Sequence, residues 1–323
     1  MMRPAHAWGL AALSLLALLV FCAATLIGPA HLPVPRALDA LLGGGDPFTR
    51  TIMQTVRLPR AIAAFTVGSL LGLAGVLLQA LFRNPLADPY VLGVSGGAAV
   101  GALLAMIAGS SLLVMHWSAG AGGLAVGVCV LLLGRGGGSV RLLLCGVICA
   151  SACGALITVL LALADDSQLR GMVFWLAGDL GWAQYPLIDA VAALATLAIA
   201  LVCGRVLNVL AAGEVRSASV GLDGGLARVF VFALTAALVS LAVTSAGTVG
   251  FVGLVAPHLV RLTFRTSDHR IVAPGAALSG GILLSLADMA SRTVAAPREL
   301  PVGAVTALIG APLFMLLLRR QSS

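Results

Sequence analysis

Long apolar runs separated by short polar stretches make up almost the whole chain. Ten runs are candidate membrane spans, at roughly residues 8–28, 59–82, 91–109, 111–134, 141–164, 186–208, 229–245, 249–263, 272–291 and 301–318. A helix needs about 20 apolar residues to cross a bilayer, whereas a membrane barrel shows short alternating strands. The pattern therefore predicts an all-α integral membrane protein, with about ten transmembrane helices in one bundle and a single domain over residues 1–323.

Composition and charge agree with this class. The 323 residues are 60% hydrophobic and 10% charged, with a net charge of +7. All 19 basic residues are arginine, so the chain lacks the lysine of a GxxxxGK phosphate-binding loop, and an ATP-driven step would need a partner subunit. Twelve of the arginines lie at inner span ends if the amino terminus is inside. This bias predicts two cytoplasmic termini and explains the charge without a nucleic-acid partner.

The cysteines and one histidine are candidates for chemistry. Cys145, Cys149 and Cys153 lie four residues apart, on one face of the fifth span. A soft-metal conduit is conceivable there, but small packing residues are the favoured interpretation. The cysteines show no CxxC spacing, so a zinc site is not indicated. His258 follows Pro257 in the eighth span, and we favour a structural hydrogen bond over a ligand or proton-carrier role.

The stretch "RLPR", Arg57 to Arg60, is predicted to open the second span from the outer face. Arginine is disfavoured outside, and its charge opposes the dipole at a helix start. Either arginine alone would be read as a snorkelling interface anchor. Together with Arg292 at another outer helix end, the pair favours a docking site for an acidic partner.

Two polar connectors fall on the inner side. The stretch "RNPLADP", Arg83 to Pro89, is predicted to end the second helix sharply, because a residue before proline avoids the helical conformation. The stretch "GEVRSASVGLD", Gly213 to Asp223, is too polar to span. Its composition alone favours an ordinary loop over a short surface helix flanked by glycines.

Three stretches together resemble a known family. They are "RLPRAIAAFTVGSLLGLAGVLLQALFRNPLADPYVLGVSGGAAVGA", "GTVGFVGLVAPHLVRL" and "ELPVGAVTALIGAPLF". They are similar to the FecCD-type permeases of bacterial ABC importers, which carry ferric siderophores, haem or cobalamin. The resemblance implies the type II importer permease fold, with ten helices in each of two permease subunits. It also implies a cytoplasmic ABC ATPase dimer and a periplasmic substrate-binding protein as partners.

The resemblance also assigns roles to residues at the two membrane faces. At the outer face it implies that Arg57, Arg60 and Arg292 contact carboxylates of the binding protein. At the inner face, the turn between the fourth and fifth spans matches the family's cytoplasmic gate. The gate residues here are Gly138 and Ser139.

The segment at about 213–223 resembles the family's coupling segment for the ATPase, which reads G-E-x-x-A-x-x-L-G. The corresponding residues are Gly213, Glu214, Ser217, Val220 and Gly221. Serine stands at the family's alanine position and valine at its leucine position, so the match is partial.

The expected function is the permease subunit of an ATP-driven importer in the bacterial inner membrane, working as a homodimer surrounded by membrane lipid. The chain is expected to have no catalytic or metal-binding residues and no cofactor of its own, with ATP and Mg²⁺ on the partner ATPase. A secondary transporter of a small solute is the alternative. It predicts a functional carboxylate within the bundle. No acid lies clearly mid-span, since Asp189 and Asp288 fall near span ends. An intramembrane enzyme would need a pattern such as HExxH, which the chain lacks.

Overall fold

The computed structural model describes residues 4–221 and 223–321. Leu222, inside the predicted coupling segment, lies outside the described residues, as does the side chain of Glu214. All regular structure in the described part is helical. The α-helices are α1 Pro4–Leu26, α2 Val34–Leu41, α3 Pro47–Thr51, α4 Leu58–Phe82, α5 Val94–Ile107, α6 Leu112–Leu133, α7 Gly138–Leu163, α8 Asp166–Leu176, α9 Pro186–Val202, α10 Gly204–Ala211, α11 Glu214–Ser219, α12 Gly224–Ala246, α13 Val252–Phe264, α14 His269–Thr293 and α15 Val302–Gln321.

The predicted all-α membrane class is confirmed, and each predicted span coincides with an apolar helix. Within the described residues, six helices are long and apolar enough to cross a membrane, or seven if α9 and α10, which are bent by 69° to each other, are counted together as one span. The helices α5 and α13, and the described apolar part of α15, are shorter. The count of ten spans therefore stays a prediction.

Helix α4 lies at the centre of the bundle, as the burial of most of its side chains shows. Glycine spacing explains how closely its neighbours approach. A Cβ on Gly68 would lie 2.2 Å from the Gly280 carbonyl oxygen, and one on Gly72 would lie 2.3 Å from that of Ala276. The small-residue face of α4 thus contacts the backbone of α14 directly.

The bundle has two ends, which we name by their residues. The arginine end carries Arg57, Arg60 and Arg292, together with the short helices α2, α3 and α8 that the apolar pattern did not predict. The connector end carries the Arg83–Pro89 loop and α11. That loop turns as predicted: Arg83 is left-handed with φ 52°, and Asp88 accepts a hydrogen bond from the Tyr90 N–H at 2.9 Å.

Candidate functional site

The arginine end differs from the sequence prediction in where its helix begins. A π-helical segment, Ile52–Arg57, joins α3 to α4, so the chain is helical from Pro47 to Phe82. Helix α4 does begin within "RLPR", at Leu58, but the helical segment before it means that the motif is not a free helix start as predicted. Arg57 lies inside a continuous helical segment, and the unfavourable dipole inferred for that position does not apply to it.

Arg57 and Arg292 cap the end of α1 instead. Arg57 is buried, and its guanidinium donates to the carbonyl oxygens of Leu26, at 2.6 Å, and Ala30. Arg292 donates to the carbonyl oxygens of Ala24 at 3.1 Å and Ile27 at 3.3 Å. The last carbonyls of a helix have no partner within the helix and favour positive charge. Two arginines distant in sequence thereby hold α1 against α4 and α14.

Asp288 joins the arginines of α4 and α14. Its carboxylate lies 2.9 Å from Arg60 Nε through one oxygen and 2.9 Å from Arg292 Nε through the other. Arg60 also pairs with Glu299 at 2.8 Å. The Asp288 side chain is 0% exposed, that of Arg60 12% and that of Glu299 45%. The paired carboxylates offset part of the desolvation cost of the buried guanidiniums.

Sequence reasoning missed Asp288 and Glu299 as partners. The spacing of Asp288 and Arg292, four residues apart on one helix, was a usable signal, because such residues face each other. The arrangement holds three cations and two anions together, and Arg60 with Glu299 is the part that reaches solvent. A carboxylate from outside could therefore meet Arg60 by displacing Glu299.

At the connector end, the predicted coupling segment contains a helix, α11, so the loop interpretation is wrong and the helix alternative is confirmed. Glycines flank it with positive φ values, 112° at Gly213 and 73° at Gly221. Ser217 is buried, and its hydroxyl donates to the carbonyls of Gly213 at 2.9 Å and Val209 at 3.3 Å. Val220 is 62% exposed. Ser217 therefore fastens the segment, whereas Val220 faces outward.

A polar cluster that sequence reasoning missed ties α10, just before this segment, to the start of α14. Asn208 donates to Asp268 at 2.9 Å and accepts from the His269 backbone N–H at 3.0 Å. Burial alone raises the pKa of Asp268, yet this pKa lies below its ordinary value because Asn208, the Arg270 N–H and the Arg270 charge stabilise the carboxylate. Contacts therefore run from α11 through α10 to the start of α14.

Beside this cluster lies a cavity of about 590 Å³. It is lined by polar residues of several elements, including Gln79, Arg83, Asn84, Asn208, Arg261 and Asp268.

The two predicted gate residues lie at the start of α7. Gly138 has a φ of 68°, which favours glycine, and the Ser139 hydroxyl donates to the Leu81 carbonyl at 3.2 Å. This contact joins the beginning of α7 to the end of α4. A gating role for the pair stays a prediction.

The cysteines of α7 and His258 pack against neighbouring helices. Cys153 is buried, and a Cβ on Gly96 would lie 2.7 Å from its Cβ. Among the described residues, no group of three or more histidine, cysteine or acidic side chains could hold a metal ion. His258 is buried edge-on to Phe314, with ring centroids 5.7 Å apart. Its Nε2 has no hydrogen-bond partner in the described part of the chain, so the expected structural hydrogen bond is not seen at that atom.

The fold defines a multi-pass helical membrane protein, and comparison with known proteins shows its family. The FecCD transport family model matches residues 15–320. The chain belongs to this family of ABC transporter permease subunits, in which a separate ATPase subunit hydrolyses ATP. Family membership also implies a substrate-binding partner.

Individual relatives agree. The chain is 41% identical over 280 residues to a hemin transport system permease of Yersinia pestis, covering 84% of each chain. It is 40% identical over 273 residues to a vitamin B12 import system permease of Salmonella arizonae, covering 83% of this chain and 82% of that one. A solved inward-facing metal-chelate type ABC transporter superimposes with a TM-score of 0.87 at 33% identity, covering 96% of this chain and 98% of that one.

Proposed function

We propose that this chain is the permease subunit of an importer that moves an iron chelate (a ferric siderophore or haem) or cobalamin from periplasm to cytoplasm. The connector end and both termini face the cytoplasm, and the membrane is the bacterial inner membrane. The observation that carries the proposal is α11, a short helix held by Ser217 with Val220 exposed beside it. Because the chain has no lysine for a GxxxxGK phosphate-binding loop, a separate ATPase must drive transport. The ATPase needs a contact surface on the permease, and α11 provides one.

The ATPase dimer binds the segment that contains Gly213, Glu214, Ser217, Val220 and Gly221, and it carries the ATP and Mg²⁺. Closure of the ATPases displaces α11. The cluster of Asn208, Asp268 and His269 passes that displacement to α14, whose far end holds Asp288 and Arg292. Gly138 and Ser139 then act as the gate at the start of α7. No step in this cycle requires covalent chemistry on the permease.

The binding protein docks at the arginine end, which Arg57, Arg60 and Arg292 build together. Among these, Arg60 presents its guanidinium nearest to solvent, and a carboxylate of the binding protein takes the place of Glu299. Arg57 and Arg292 keep α1 in position beneath the docking surface.

A second copy of the permease completes the pathway. Helix α7 buries only Leu142, Gly146 and Cys153 among its 26 residues, and its exposed side chains are largely apolar. Such a helix needs lipid or another subunit along most of its length. We propose a homodimer with α7 at the central path.

Reconstitution tests the proposed function. The chain is placed in liposomes with its cognate ATPase and binding protein, and uptake of radiolabelled haem, ferric siderophore and cobalamin is measured. Uptake of one of these cargoes is expected only with both partners and ATP. Uptake of equal rate without the ATPase would contradict the proposal and favour a secondary transporter. The ligand that co-purifies with the binding protein identifies the cargo.

A further inference from the structure

A cavity of about 470 Å³ lies between α6, α9 and α12, near the arginine end of the bundle. Its rim is apolar and exposed, and includes Leu113, Trp117 and Ile188. Its polar lining residues include Asp189, Ser240 and Ser245. The volume falls within the range of about 300–1,000 Å³ that is typical of small-ligand sites.

Asp189 is the unusual group in this cavity. It is 1% exposed, and its Oδ1 accepts a hydrogen bond from the Ser245 hydroxyl at 3.0 Å. Its Oδ2 is buried and has no hydrogen-bond partner among the described residues. A buried carboxylate oxygen without a donor is costly. The site therefore lacks one donor.

The serine, threonine and histidine side chains nearest to Asp189 in this cavity, other than Ser245, hydrogen-bond backbone carbonyls instead of its Oδ2. The Ser240 hydroxyl donates to the Gly120 carbonyl at 3.0 Å, and the Thr244 hydroxyl donates to the Ser240 carbonyl at 2.8 Å. The ring nitrogens of His116 face two carbonyl oxygens, those of Leu112 at 2.7 Å and Trp182 at 3.1 Å. Asp189 Oδ2 is therefore available to accept a hydrogen bond from a ligand in the cavity.

We propose that this cavity binds the primary ammonium group of an aminophospholipid such as phosphatidylethanolamine, with a small rotation of the Asp189 carboxylate bringing Oδ2 to an ammonium N–H. An ammonium supplies both the missing donor and the complementary charge. A choline head group keeps the charge but has no N–H to donate. The apolar rim receives the upper part of an acyl chain.

The depth of the carboxylate suits a lipid head group. Asp189 lies three residues after Pro186, the first residue of α9, and is therefore about 4.5 Å along the helix from its start. The aromatic rings of Trp117 and Tyr185 line the same cavity, and such rings favour the membrane–water interface. Because the exposed rim is apolar, the route of entry is from the bilayer.

Gly120 keeps the cavity open on the α6 side. A Cβ at this position would meet only the Thr244 hydroxyl oxygen, at 3.8 Å, which is ordinary contact. One turn along the same helix, a Cβ on Gly123 would lie 2.6 Å from the Ser240 hydroxyl oxygen. A large side chain at Gly120 would therefore fill the cavity, whereas one at Gly123 would disturb packing.

Lipid binding to the purified full-length chain tests the proposal without reference to transport. Native mass spectrometry measures retention of dioleoyl phosphatidylethanolamine, its N-methyl and N,N-dimethyl forms, and phosphatidylcholine. We expect the three lipids that keep an ammonium N–H to be retained about tenfold more tightly than phosphatidylcholine, the difference expected for one charge-assisted hydrogen bond. Equal retention of all four lipids would overturn the proposal.

Three variants assign any preference to this cavity. Asp189→Leu is expected to abolish the preference, while Gly120→Leu is expected to weaken binding of every lipid in the series. Asp165→Asn, which removes an exposed acid at the same end, is the matched charge control and should behave as wild type. If Asp189→Leu folds and keeps the tenfold preference, or if Asp165→Asn loses it, the assignment is wrong.

Discussion

The two ends of the bundle were both predicted to contact partner proteins, yet they present opposite kinds of surface. At the arginine end, Arg57 and Arg292 are buried and Arg60 is paired to two acids. At the connector end, Ser217 fastens α11 while Val220 is largely exposed. A partner at the arginine end must therefore exchange carboxylates with existing ion pairs. A partner at the connector end meets an exposed apolar side chain directly.

The largest expected effect comes from breaking the buried ion pairs. Asp288→Ala leaves two guanidiniums without their shared carboxylate, and should lower the free energy of unfolding by about 3–5 kcal/mol. Thermal unfolding in detergent measures this. The control Glu299→Gln removes the half-exposed acid and should cost less than about 1 kcal/mol. Similar small losses for both variants would show that the network contributes little to stability.

The next largest effect concerns the exposed side of the coupling segment. Val220→Asp places a charge in the proposed ATPase interface and should weaken ATPase binding about tenfold or more. The stability of the isolated chain should change by less than about 0.5 kcal/mol, since Val220 is a surface residue. Binding of the ATPase to the chain in nanodiscs provides the readout. Leu42→Asp, at an exposed residue of the opposite end, is the control and should bind normally.

The smallest expected effect concerns Ser217, the buried residue of the same segment, and contrasts it with the exposed Val220. Ser217→Ala removes the hydrogen bond that one hydroxyl proton shares between two carbonyls, and it should lower the free energy of unfolding by about 1 kcal/mol. ATPase affinity should stay at the wild-type value, because Ser217 faces its own chain. A loss of affinity without loss of stability would instead make Ser217 a direct contact, as its position in the family pattern suggests.

The helical architecture followed from the sequence because apolar length and small-residue spacing are local properties. The four-residue spacing of Gly68 and Gly72 is visible in the sequence and permits the close contact that α4 makes with α14. Gly213 and Gly221 flank the polar connector, and both have positive φ values. A right-handed helix requires negative φ, so these glycines mark the limits of the short helix.

The ion-pair network did not follow from local patterns. Arg60 and Asp288 are 228 residues apart, and their contact depends on the packing of α4 against α14. The hydrogen bonds of Asn208 could not be predicted for the same reason, because its partners are about 60 positions away in the sequence. Asp189 lies near a span end as predicted, but its burial depends on α12 covering it. Charge counts along the sequence report where arginines lie in the membrane and do not report whether they are already paired.

The rate of ATP hydrolysis tests most directly whether this chain connects a binding protein at one end with an ATPase at the other. The complex is assembled in nanodiscs, and hydrolysis is measured with and without the loaded binding protein. The account predicts that the loaded binding protein accelerates hydrolysis in wild type and in Glu299→Gln. Arg60→Gln should keep the basal rate and lose the acceleration. An unchanged rate in wild type, or full acceleration in Arg60→Gln, would contradict the account.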